Sequence, residues 1–166
     1  MSTTTVAQAL TIPEPAANYL LDITTDVFAS MVGHELTCVA PNDMCPPGAA
    51  EIVGTVAFAG SWTGYVAVVT SHSAARRITS SLLGADGDEA EAQTRDAMGE
   101  VANMIAGGLR TRMAKPGDAW TTTVPLVASG RAVTLEHPRG AGLVVHRFWF
   151  GPHVLEVHLV VTSMAQ

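Results

Sequence analysis

The chain has 166 residues, 48% of them hydrophobic and 14% charged, with a formal net charge of −6. That length suits one compact domain burying about two-thirds of its unfolded surface, and the composition excludes a disordered chain. The first Lys or Arg is Arg76, so the first 75 residues carry the whole net charge and nine acids balance nine bases thereafter. With no basic, aromatic-rich stripe, such a surface disfavours nucleic acid.

In chain order, residues 1–17 are rich in Thr, Ala and Pro and read as a loose leader ahead of one domain spanning 18–166. The leader has no basic residue before its apolar positions, and no apolar run reaches the length of a membrane span, so a cytoplasmic location is expected. Leu20, Ile23, Val27, Phe28 and Met31 then recur at helical spacing, with Asn18 as candidate cap and Gly33 as stop. The stretch 40–50 holds Pro41, Pro46, Pro47 and Gly48 and must be a loop.

Two extended runs, 51–59 and 65–70, flank Gly60-Ser-Trp-Thr-Gly64, a hairpin signature. Ser71 and Ser73 open a helix that ends at Gly84, and the acidic stretch 85–91 reads as a linker. A long helix over about 92–114 follows, stopping before Pro116-Gly117. The remainder reads as strands: 121–128, a short candidate at 132–135, then 143–150 and 154–161 around Gly151-Pro152. The order predicts an α+β domain of two layers, an antiparallel sheet with helices packed on one face. Strand 143–150 is apolar on both sides, which leaves the opposite sheet face available to another subunit.

Chemistry concentrates on the long helix. Met98, Val101, Met104, Ile105 and Leu109 form its buried stripe, while Asp96, Glu100 and Asn103 share another face. On spacing alone, that polar face is either solvated or a tool for handling water and phosphate. Other machinery is missing: GxSxG, GxxxxGK[ST] and GxGxxG do not occur. Cys38 and Cys45 are too far apart for a CxxC pair, and no HExxH exists among the six histidines. His146, His153 and His158 read as ordinary polar positions, Trp62 and Trp149 as packing anchors.

The run Asp96-x-x-x-Glu100-x-x-Asn103-x-x-x-Gly107 resembles the signature of the CheC/CheX/FliY phosphatases. Gly60-Ser-Trp-Thr-Gly64-Tyr-Val, Ser73-Ala-Ala-Arg-Arg-Ile and Thr123-Val-Pro125-Leu-Val-Ala-Ser-Gly130 also look like this family's hairpin turn, following helix and later strand. The resemblance extends over about residues 18–162 and, with a single Glu-x-x-Asn motif, is closest to CheX, whose members form homodimers. Two departures are Gly108 directly after Gly107, and the proline-rich 40–50 loop with Cys45.

The resemblance implies a CheX-like fold and hydrolysis of the aspartyl phosphate on a CheY-like response regulator. Asn103 would orient the attacking water and Glu100 would engage the receiver's lysine, with Asp96 and Gly107 supporting the helix surface and the partner's approach. It implies no cofactor on this chain, with Mg²⁺ on the partner receiver. Two other readings remain: a non-catalytic adaptor docking a receiver or flagellar-switch-like partner, and a structural dimer working through its sheet face.

Overall fold

In the computed structural model, residues 10–40, 50–84 and 86–164 are described. The expected leader's first nine residues, Cys45 with most of the proline-rich loop, and Ala85 of the expected linker lie outside them.

Helix α1 runs Glu14–Val27, four residues earlier than Asn18 suggested. Pro13 stands at its N-cap and a further proline occupies the first turn. Proline is pre-set for that position, because its missing N–H would have no helical acceptor there. Asn18 is therefore a mid-helix residue. The expected leader is also tied down at Leu10, whose N–H donates to Gly140 O at 2.9 Å. A π-turn, Phe28–Val32, continues α1 and ends at Gly33 with φ +72°.

Strand β1, Thr37–Cys38, follows. Its two residues show no periodicity, and only pairing with a later strand defines it. Strands β2 (Ile52–Ala59) and β3 (Trp62–Thr70) form the expected hairpin, but β3 starts earlier than its sequence suggested. A register shift at Thr63/Gly64 lets the strand pass Gly64 and continue. Glycine is required there, because a Cβ would collide with the Val160 carbonyl.

Helix α2, His72–Leu83, is capped by Ser71, whose Oγ accepts from Ala74 N–H at 3.2 Å. Helix α3, Gly87–Met113, absorbs most of the expected acidic linker. Asp88 and Glu89 occupy its first turn, where negative charge meets the positive end of the helix dipole. The expected strand 121–128 divides into β4 (Thr121–Thr122) and β5 (Leu126–Ser129), both paired with β2. Pro125 separates them, since it has no ladder donor. The candidate strand 132–135 is not one. Strands β6 (Gly142–Phe150) and β7 (His153–Met164) complete the chain.

The sheet is antiparallel throughout, ordered β1-β6-β7-β3-β2-β4, with β5 beside β2. Leu20, Phe28, Ile52, Val56, Met98, Ile105, Phe148, Leu155 and Leu159 fill one core between its inner face and the helices. The outer face carries a smaller cluster, Val53, Ala67 and Val69, overlain by Val133 and Leu135 of the 131–139 segment.

Candidate functional site

Helix α3 is held firmly on all sides but one. Beneath it, Gly54 of β2 brings the sheet so near that a Cβ there would lie 2.6 Å from Met98 O. On the α2 side, Thr79 Oγ1 and Thr94 Oγ1 stand 3.5 Å apart. At the C-terminal end, Gly108 admits Ile23 of α1, and Arg112 reaches Asp22 at 3.2 Å and Asp26 at 3.4 Å. Along the remaining flank, Pro125 abuts Gly99, while Arg95 donates to Val127 O at 2.6 Å and Ser129 Oγ at 2.7 Å.

What is left open is the row Asp96, Glu100, Asn103 and Gly107. Steps of four, three and four residues keep all four within about 60° of the helix circumference, along about 16 Å of its axis. Asp96, Glu100 and Asn103 are exposed, and a Cβ on Gly107 would meet nothing within 4 Å. Among the described residues, no hydrogen bond or ion pair engages the side chains of Asp96, Glu100 or Asn103. The carboxylate and carboxamide are thus free to act on something outside the chain. Met104, assigned to the buried stripe by its spacing, is only half-buried beside Glu100.

The row is a ridge. Among the described residues, four of the surface hollows, of about 300 to 590 Å³, are lined by none of Asp96, Glu100, Asn103 and Gly107. One of these four is a shallow groove between α1 and α3 along Ile23, Val27, Met104 and Gly108. Such a ridge cannot enclose a small substrate, but it can enter a concave partner. Among the described residues, no group of three or more His, Cys, Asp or Glu side chains is placed to hold a metal ion, and no helix is long and apolar enough to cross a membrane.

A second polar assembly, which the sequence did not single out, lies on the outer sheet face. Tyr65, His137, His158, Glu156 and Arg147 form a continuous hydrogen-bonded chain. Only Glu156 and His158, two apart on one strand and so on one face, left a readable trace of it. His146 is separate, donating from Nε2 to Ala17 O at 2.9 Å on the helix side. Trp62 packs against the main core as expected.

Comparison with known proteins bears on the ridge. The family model described as chemotaxis phosphatase CheX matches residues 52–148, more than half of the chain and all of the row. No curated protein matches in sequence. Among solved structures, a CheC-like superfamily protein from Shewanella sp. PV-4 superposes with a TM-score of 0.78 at 19% identity, over 92% of this chain and 100% of that one. The chemotaxis protein CheX from Desulfovibrio desulfuricans gives 0.76 at 23% identity, over 89% and 99%. A CheX–CheY–BeF3–Mg²⁺ complex from Borrelia burgdorferi gives 0.72 at 21% identity, over 88% and 97%.

Proposed function

The chain belongs to the CheX family of chemotaxis phosphatases, and from that premise we propose that it hydrolyses the aspartyl phosphate of a CheY-like receiver domain, with Glu100 and Asn103 completing the partner's pocket. The observation that carries this reading is the exposed, unengaged Glu100–Asn103 pair on a ridge fixed by its surroundings.

An acyl phosphate is already activated, so its hydrolysis needs an in-line water and a stable setting for the charge. Water attacks phosphorus, the bond to the aspartyl oxygen breaks, and carboxylate and inorganic phosphate leave. The carboxamide of Asn103 does not titrate near neutral pH, so it cannot serve as a general base. It acts by orientation, its carboxamide holding the water in line and contributing about 10²-fold, or a few kcal/mol. Glu100 pairs with the ammonium of the receiver's lysine and sets the angle of the docked helix. Asp96 extends the polar row, and Gly107 leaves room for the partner's backbone. Mg²⁺ belongs to the receiver in this reading, and this chain supplies no cofactor. The working unit is a homodimer, to be checked by light scattering.

The test is phosphate release from several phosphorylated receivers with wild type, Glu100→Ala and Asn103→Ala. Asn103→Ala should retain receiver binding and lose turnover, while Glu100→Ala should lose much of both. Wild type that binds a phosphorylated receiver without shortening its phosphate lifetime would establish an adaptor instead. Full activity in both variants would also overturn the mechanism.

A further inference from the structure

The segment 131–139 crosses the outer sheet face between β5 and β6 and shields Val53, Ala67 and Val69 from water. Its start is pinned by backbone, with Gly130 N–H donating to Glu51 O at 2.8 Å and Val133 N–H to Ala50 O at 2.6 Å. Toward its far end, one side chain makes the hydrogen bonds that hold it to the sheet. His137 stands between Tyr65 of β3 and His158 of β7, at 2.8 Å from Tyr65 Oη through Nδ1 and 3.2 Å from His158 Nδ1 through Nε2. His158 Nε2 continues to Glu156 Oε2 at 3.0 Å, and Arg147 Nε donates to Glu156 Oε1 at 2.7 Å.

We infer that His137 and His158 form a two-proton clasp, which holds the 131–139 segment on the sheet while the pair carries no added proton or one, and releases it when both rings are charged.

Donors and acceptors fix where the hydrogens sit. Glu156 can only accept as a carboxylate, so His158 Nε2 carries a hydrogen. With both rings neutral, His158 Nδ1 then accepts, His137 Nε2 donates, and Tyr65 donates to His137 Nδ1. That assignment is unique and leaves no contact unsatisfied. One added proton is accommodated in either ring. On His158, Nδ1–H donates to His137 Nε2, and the hydrogen of His137 moves to Nδ1 and donates to Tyr65 Oη. On His137, Nδ1–H donates to Tyr65 Oη while Nε2–H still donates to His158.

A second proton breaks the pattern. Both nitrogens at the 3.2 Å contact become donors, and two positive rings whose centroids are 5.3 Å apart face each other. The charged and titratable surroundings do not compensate. Glu156 of β7 is already shared with Arg147 of β6, Tyr65 of β3 is a neutral phenol, and Cys38 of β1 and His146 of β6 line the adjoining hollow without adding negative charge. The segment itself brings Arg131, Glu136 and Arg139, which sum to one positive charge. His137 already resists protonation, lowered from its ordinary value by burial and then by His158.

The test is imidazole nitrogen NMR on the full chain from about pH 7.5 to about pH 5, the span over which histidines titrate. Amide exchange of 131–139 is followed in parallel and corrected for its intrinsic pH dependence. The two rings should titrate in separate steps, and protection of 131–139 relative to Val157 should fall about tenfold with the second step only, as expected for losing one hydrogen bond. In His158→Gln, whose carboxamide oxygen can still accept from His137, the drop should vanish. In Tyr65→Phe it should remain. A drop with the first proton, an undiminished drop in His158→Gln, or unchanged protection through the whole range would each overturn the proposal. Should His158→Gln fail to fold, the wild-type coincidence of second step and drop decides alone.

Discussion

Gly108 of α3 and Ile23 of α1 approach so closely that a Cβ on Gly108 would lie 2.7 Å from Ile23 Cγ2, whereas its neighbour Gly107 faces open space. Two adjacent glycines in one helix, about 100° apart around it, thus serve different surfaces, one the packing of α1 and the other the outward row. Gly107→Ala should stabilise the protein by up to about 1 kcal/mol through helix propensity. Gly108→Ala gains the same propensity but overpacks a β-branched neighbour at a cost of about 1–3 kcal/mol, so it should be the less stable of the two. Urea midpoints of the pair check this, the reverse order refuting it. On the proposed reading, Gly107→Ala should nevertheless lower receiver turnover.

Gly54→Ala should be harsher. Its Cβ would press on the backbone of Met98, which cannot rotate away, and α3 would have to lift from β2. A loss of about 2–3 kcal/mol is expected, at the upper end of overpacking costs. Urea unfolding measures it, and near-wild-type stability would show that α3 is not held against the sheet at this point.

Glu100→Gln keeps the shape of the ridge and removes its charge. If Glu100 meets a lysine, affinity for the receiver should fall about 10- to 100-fold, the range for a charge-assisted hydrogen bond. The salt dependence of binding should flatten with it. Titration calorimetry at two ionic strengths separates this from simple loss of contact area, which would leave the salt dependence unchanged.

Glu156 gives an acid-side signature. Its carboxyl is held below its ordinary value of 4.5, chiefly by the hydrogen bond from His158 and further by Arg147, against the opposing effect of burial. A depressed folded pKa means that the contribution to stability is complete above the unfolded value and lost as pH falls through the folded one. Wild type should therefore lose stability below about pH 4.5 more steeply than Glu156→Gln, whose amide does not titrate. Urea midpoints across that range compare the two slopes.

Most of this fold was legible because its long elements repeat. The stripe of α3, the β2–β3 hairpin and the β6–β7 meander each carry several residues in phase, and their neighbours cannot change the period. The signals that misled were single residues. Pro13 and Pro15 read as loop composition although proline suits a first helical turn, and Asp88 and Glu89 read as a linker although acids favour a helix start. Strand β1 could not be read at all, since Thr37 and Cys38 are extended only by pairing with Trp149 and Phe148. The site divides in the same way. Asp96, Glu100, Asn103 and Gly107 share one helix, where spacing fixes direction. His137 meets Tyr65 and His158 across distances of 72 and 21 residues, and nothing local announces that meeting.

The ridge also determines where selectivity must reside. A cleft chooses its substrate by what it admits, but a projecting helix is itself the thing admitted. In the proposed reaction the receiver's opening is the lock, and α3 is a key whose cut is only four residues long. Discrimination between receivers then falls to the slopes beside that key, where Met104 and the α1 groove lie on one flank and Pro125 on the other. Exchanging those flanks while leaving Glu100 and Asn103 untouched would redirect the protein without altering its chemistry.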